Sequence, residues 1–254
     1  MKCVILAAGE STRLRPLTND VPKCLLRVGG KSLLQRTLEN VYAAGVKEVA
    51  IVVGYKADAI RAFVKEQFPR HHIRFILNPN FASTNNAYSL MLVRNFCVDE
   101  QEELATKENF LLLDSDIVFS HALLPFLMEQ RGENKIAVRV EGSHDDEEIR
   151  VMINRNAHIT MIGKETPLST TYGESIGIEI FSHATAEKLF EALGARIKHG
   201  RGREEFYEHA FQDLIDNGAE LKAVDASAFP ALEIDTLKDL ELAEQLVNTR
   251  PEFS

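Results

Sequence analysis

Small residues, cations and two prolines crowd the stretch from Ile5 to Leu26, ILAAGESTRLRPLTNDVPKCLL. Ala7, Ala8 and Gly9 let a backbone approach a ligand closely. Arg13, Arg15 and Lys23 put fixed positive charge on the same loop, and Pro16 and Pro22 restrict the chain between them. Such a loop suits a polyphosphate, whose oxygens can be shared between backbone N–H groups and cations. Further on, Asp114 and Asp116 follow an apolar run, NFLLLDSDIVF. One residue apart on an extended chain, two carboxylates point the same way. Their repulsion calls for a cation, and hard oxygen ligands suit Mg2+. A helix cap and turn would use the same two residues.

The elements around these groups alternate in type. Lys2–Leu6 reads as a buried strand, Lys31–Ala44 as a helix ended by Gly45, and Glu48–Val53 as a second strand. Ala57–Phe68 is a helix closed by Pro69, and Ile73–Leu77 a third strand. Strand–helix alternation predicts an α/β fold with a doubly wound, mixed but mostly parallel sheet. Ligands bind at the carboxyl edge of such sheets, where the first loop leaves its strand.

From Asn78 a polar loop leads to a helix reaching about Asn95, with Ser83 or Thr84 as its cap. Asn85 and Asn86 either meet a base edge with paired donors and acceptors or only tie this loop. Asn109–Phe119 is the fourth strand and its exit, Ala122–Gln130 a helix, Ile136–Val140 a strand and Gly142–Glu148 an acidic loop. Arg150–Glu165 alternates apolar and polar residues around a turn at Asn154–Ala157, a small antiparallel hairpin inserted into the sheet. Then come a strand over Tyr172–Phe181, helices over Ser182–Leu193 and Glu204–Asn217, and a strand over Glu220–Asp225. A last helix follows, capped by Asp235 or Thr236. The loop His199–Arg203 reads as basic surface.

A length of 254 residues fits one large domain or two small ones. The net charge of −9 argues against nucleic acid as a partner, which normally meets a basic face. Cys3, Cys24 and Cys97 lack a CxxC spacing and read as reduced thiols of a cytoplasmic protein. No apolar run approaches the ~18 residues that membrane insertion requires. The sequence leaves a homodimer open.

The first loop resembles the signature of nucleotidyltransferases that activate sugar phosphates and small phosphorylated headgroups, a pattern close to LAAGxGTRLxPLTxxxPKxLLxVxGxPLL. The match continues through Arg27–Leu34 and departs at Ser11, where the pattern has glycine. The resemblance spans Met1 to about Ala243 and implies a single Rossmann-like nucleotidyltransferase domain over 1–254. Its 1–140 half would hold the nucleotide, and its 141–254 half the acceptor.

The resemblance also implies roles. Leu6, Ala7, Ala8, Gly9, Glu10, Arg13, Lys23, Asn85, Asn86, Ser89 and Asp114 would bind the nucleotide, with Arg13 on the β- and γ-phosphates. Asp116 and Asp235 would be the Mg2+ ligands and, with Arg13 and Lys23, the catalytic groups. Lys164, Tyr172, Glu174, Gly177, Tyr207, Glu208 and Glu233 would line the acceptor site, with Lys164 on its phosphate. The NNxxS run and the EID ending are most similar to cytidylyltransferases for phosphocholine or 2-aminoethylphosphonate. Transfer of CMP from CTP to such a phosphorylated or phosphonate acceptor is therefore expected. Two alternatives stay open: a sugar-1-phosphate enzyme using UTP or dTTP, and a non-catalytic nucleotide-binding regulatory subunit. The absence of Trp weakens choline relative to a primary amine, because Trp is the best partner for quaternary ammonium.

Overall fold

The computed structural model describes residues 1–98, 107–140, 148–200 and 202–253. Except for Glu148, the expected acidic loop lies outside the described residues. So do Arg201 of the basic loop and residue 141, the expected division between halves. In chain order the elements begin with β1 (Lys2–Ala7), β2 (Arg27–Val28), β3 (Lys31–Ser32), α1 (Leu33–Ala43), β4 (Glu48–Val53), α2 (Ala57–Gln67) and β5 (Ile73–Leu77). They continue with α3 (Asn86–Met91), α4 (Arg94–Cys97), β6 (Phe110–Asp114), β7 (Ile117–Phe119), α5 (Leu123–Glu129) and β8 (Lys135–Arg139). The remainder are β9 (Arg150–Ile153), β10 (Ile159–Gly163), β11 (Gly173–Phe181), α6 (His183–Lys198), α7 (Glu208–Asp216), β12 (Lys222–Asp225), β13 (Ala231–Glu233) and α8 (Leu237–Thr249).

Alternation along the buried strands feeds two cores. In β1, Cys3, Ile5 and Ala7 enter one face, and Val4 and Leu6 the other. β4 and β6 divide in the same way. Residues of α1, α2 and α5 close the first core, and residues of α3, α4, α6 and α7 the second. A sheet buried on both faces needs near-continuous apolar strands, which is what these segments supply. Strand order is β10-β9-β11-β6-β1-β4-β5, parallel from β6 through β5. β11 runs antiparallel to β6, β8 and β9. The predicted α/β sheet, doubly wound and mixed, with its antiparallel hairpin β9–β10, is present.

Three local expectations change. The cap of α3 is Asn85, whose side chain accepts from the Asn86 N–H, whereas the Ser83 and Thr84 hydroxyls donate to the Asn80 carbonyl. The helix expected from Glu204 begins at Glu208. Residues 203–207 are instead a strap of turns: the Arg203 carbonyl accepts from Asn85 N, and Tyr207 N donates to Asn86 Oδ1. The third change is β13, too short to show a period, which pairs antiparallel with β7 and opposes Glu233 to Ile117. The ladder is extended by Ile234 N donating to the Asp116 carbonyl at 3.0 Å. This ribbon joins two acidic segments more than a hundred residues apart.

In the first loop Ser11 adopts φ 50° and ψ 54°. That left-handed conformation costs a non-glycine residue ~1–2 kcal/mol. Ser11→Gly should therefore raise stability by about 1 kcal/mol, read as a higher midpoint in thermal unfolding. A lower midpoint would contradict this account of the loop. Tyr55 fastens the same loop, donating its hydroxyl to the Thr18 and Asn19 carbonyls at 2.8 Å.

Candidate active site

Two adjoining cavities open at the carboxyl edge of β1 and β6. The first, of about 330 Å3, is lined by Leu6, Ala7, Ala8, Gly9, Asn85, Asn86 and Ser89. A Cβ at Gly9 would meet nothing within 4 Å, so the backbone there faces open space. The second, of about 410 Å3, is lined by Lys164, Glu174, Gly177 and Glu208. The cavities share Arg13, Asn86, Asp114, Phe206, Glu233 and Asp235.

Lys23 stands at the junction. Its Nζ donates to Asp116 Oδ2 at 2.8 Å and Asp235 Oδ1 at 2.6 Å. Burial alone would lower its pKa, but the two carboxylates outweigh burial and hold the ammonium above its ordinary value. Arg13 reaches Asp235 Oδ2 at 2.8 Å from an exposed position. Carboxylate oxygens of Asp116, Glu233 and Asp235 lie within 4.8 Å of one another. Asp116 Oδ1 is buried without a hydrogen-bond partner. An all-oxygen donor set with one oxygen unsatisfied fits a hard divalent cation, so the expected Mg2+ suits these residues. Glu233 is exposed at the cavity wall, but crowding by surrounding protein atoms, then Asp116 and Asp235, pushes its carboxyl above the usual range.

Several expected residues lie elsewhere. Glu10 lines neither cavity and faces Arg15. Tyr172 lines neither cavity and packs against the second core. Tyr207 is fully buried, and its hydroxyl donates inward to Asp114 Oδ2 at 2.8 Å. Neither tyrosine is placed to hold an acceptor. Asp114 does not point with Asp116: a turn separates them, so Asp114 enters the core side beside Tyr207 while Asp116 faces Lys23. Burial, then Asp116 and Glu208, raises the Asp114 carboxyl well above its ordinary value. Gly177, at φ 70°, allows this approach, because a Cβ there would sit 2.9 Å from Asp114 Oδ2. Asn86 lines both cavities, yet its side-chain oxygen is held by the strap.

Sequence reading missed Phe206, on the strap between the cavities, and Arg139, which ion-pairs with Glu174. It also missed Asn78, which donates to Ser89 Oγ and Thr84 Oγ1 and so orders the floor of the first cavity. The aromatic and cation had no local signal, since tertiary contacts alone bring them to the site. The three cysteines are buried, and burial raises each thiol pKa, so none supplies a thiolate.

Below the second cavity lies an acidic group of unusual protonation. Burial pushes the Glu208 carboxyl up to about 7, with Glu233 adding to the rise and its own backbone N–H and Lys164 opposing it. Glu179 is raised in the same direction by burial, Asp114 and Glu208. The folded form therefore holds protons that the unfolded chain releases near pH 4.5. With more protons bound when folded, stability falls as pH rises from about 4.5 to about 7. Glu208→Gln should flatten that decline by a few kcal/mol at most, measured by denaturant titration at pH 5 and 8. A variant whose curve parallels the wild type would contradict the assignment.

A mixed sheet whose carboxyl edge gathers a small-residue loop, cations and a carboxylate trio defines an α/β phosphotransfer enzyme. The chain belongs to the nucleotidyl transferase family, whose model, described as "Nucleotidyl transferase", matches residues 2–229. It is 27% identical over 261 residues to the CTP:phosphoglutamine cytidylyltransferase of Campylobacter jejuni, covering 95% of this chain and 98% of that one. It is 26% identical over 243 residues to the 2-aminoethylphosphonate cytidylyltransferase of Lancefieldella rimae, covering 96% and 89%. The solved CTP:phosphocholine cytidylyltransferase of Streptococcus pneumoniae superposes with a TM-score of 0.75 at 22% identity, covering 97% of this chain and 98% of that one, a likeness of fold. Among the described residues no helix is long and apolar enough to cross a membrane.

Proposed function

We propose that the protein transfers CMP from CTP to a small phosphate or phosphonate headgroup in a Mg2+-dependent reaction that releases pyrophosphate. The observation that carries this reading is the junction itself: two cavities meet at Glu233 and Asp235, and Lys23 and Asp116 of the first cavity stand against that seam. The full-length likeness to enzymes named for CTP and phosphorylated or phosphonate amines supports the choice of nucleotide and acceptor.

The nucleotide would occupy the first cavity, against Ala7, Ala8 and Gly9, and the acceptor the second. An acceptor oxygen attacks the α-phosphorus, the bond to the β-phosphate oxygen breaks, and its electron pair leaves with pyrophosphate. The nucleophile is already an anion, so no strong base is needed. The work is to hold two anions together and to stabilise charge moving onto the leaving group. Lys23 supplies N–H donors at the junction, Arg13 reaches it from solvent, and Lys164 serves the acceptor phosphate. Asp116 and Asp235, with Glu233 beside them, would hold a divalent cation. When bound, that cation supplies Lewis-acid polarisation of phosphoryl oxygens.

Phosphorus NMR of a reaction containing CTP, Mg2+ and 2-aminoethylphosphonate tests this reading. Pyrophosphate and a mixed anhydride should appear together. CDP with a newly phosphorylated acceptor would indicate γ-transfer and overturn it.

A further inference from the structure

The second cavity is rich in carboxylates, and what each of them already holds bears on what the cavity can take. Recognition of a trimethylammonium group relies on open aromatic faces. Phe206 is the aromatic side chain that lines this cavity among the described residues, and Lys164 Nζ already stands 5.1 Å from its ring centre. Tyr207 is buried with its hydroxyl turned to Asp114, Tyr172 lies outside the cavity, and the chain has no Trp.

Most carboxylates of the cavity are already engaged. Glu174 is paired with Arg139, Asp239 closes the capping box of α8, Asp235 holds Lys23 and Arg13, and Glu233 belongs to the candidate cation site. Glu208 differs. It is 5% exposed, it lines the cavity, and its Oε2 is buried without a hydrogen-bond partner. An unsatisfied buried acceptor costs stability until a donor arrives, and a carboxylate accepts most strongly from a charged N–H.

We propose that Glu208 selects acceptors whose far end is a primary ammonium, donating an N–H to its unpartnered oxygen, over acceptors ending in trimethylammonium. This rests on the headgroup-transfer reading above and narrows its substrate class. A trimethylated nitrogen has no N–H to offer, so it leaves the orphaned oxygen unsatisfied.

Pyrophosphate release from CTP with 2-aminoethyl phosphate and with its trimethylated counterpart, phosphocholine, tests the proposal, because the two differ only in N-methylation. The same assay uses 2-aminoethylphosphonate as a second primary amine and UTP with glucose-1-phosphate as a control. Wild type should favour the primary amines by about tenfold to a hundredfold in kcat/KM. Glu208→Gln and Glu208→Leu should bring that ratio within about threefold, chiefly through KM for the amine. The leucine is close in volume and removes a buried charge, so one of the two variants should fold. Equal or better turnover of phosphocholine by wild type, or an unchanged ratio in a folded variant, overturns the proposal and leaves headgroup transfer standing. Turnover confined to UTP and glucose-1-phosphate, or none with any amine acceptor, overturns both.

Discussion

Asp116→Asn is expected to lower kcat/KM by at least about a thousandfold while leaving the thermal midpoint within a few degrees of wild type. The loss is large because Asp116 supplies an unsatisfied oxygen to the candidate cation site as well as a partner for Lys23. Weakening a bound metal forfeits several kcal/mol of charge stabilisation in the transition state. The effect on folding is small for two reasons. Lys23 keeps its 2.6 Å bond to Asp235, and removing one carboxylate relieves the repulsion that raises Asp114 and Glu233. Asp235→Asn should behave alike and also release Arg13. Steady-state kinetics with a thermal melt separates the alternatives: a stable variant that keeps Mg2+-dependent activity within tenfold would remove Asp116 from the site.

Lys23→Met should show the opposite balance, a fold that depends on metal. The lysine side chain is 9% exposed between carboxylates that are 23% and 28% exposed. Without it Asp116 and Asp235 face each other with only the exposed Arg13, on Asp235, as a countercharge among the ion pairs described above. Breaking a fully buried pair costs about 3–5 kcal/mol, and the partial exposure here reduces this to roughly 2–4 kcal/mol. In a protein of this size that is a fall of roughly 5–15 °C in melting temperature. Added Mg2+ should return much of it, because a ligand of the folded state stabilises by mass action. The metal-induced shift in the variant should exceed that in wild type, where the ammonium competes for the same oxygens. Turnover should still fall about a hundredfold, since the metal cannot replace N–H donors aimed at phosphate oxygens. An apo variant as stable as wild type, or equal Mg2+ shifts in the two proteins, would sink this assignment.

How much of this could be read from the chain depends on whether the signal is local. The first loop was legible because its residue types are themselves the chemistry: small residues where backbone is needed, cations where charge is needed, prolines between them. The departure at Ser11 was legible too, and its positive φ explains why glycine suits that position. The strands β1, β4 and β6 were legible because burial on both faces leaves an unbroken apolar run. What sequence could not show is what depends on two distant segments meeting. β13 has three residues and no period, yet its ladder with β7 brings Glu233 and Asp235 to Asp116. Tyr207 and Glu208 are neighbours that look alike as acceptor contacts. The start of α7 turns one inward to Asp114 and leaves the other lining the cavity. The strap that carries Phe206 has helix-forming residues, and its ties to Asn85 and Asn86 override that preference.

The most direct measurement is pyrophosphate release in the presence of Mg2+, with CTP against UTP, each offered 2-aminoethylphosphonate and glucose-1-phosphate. Release that requires CTP and the amine-bearing acceptor is the predicted result. Release that proceeds with UTP and the sugar phosphate, and not with CTP and the amine, would contradict the account.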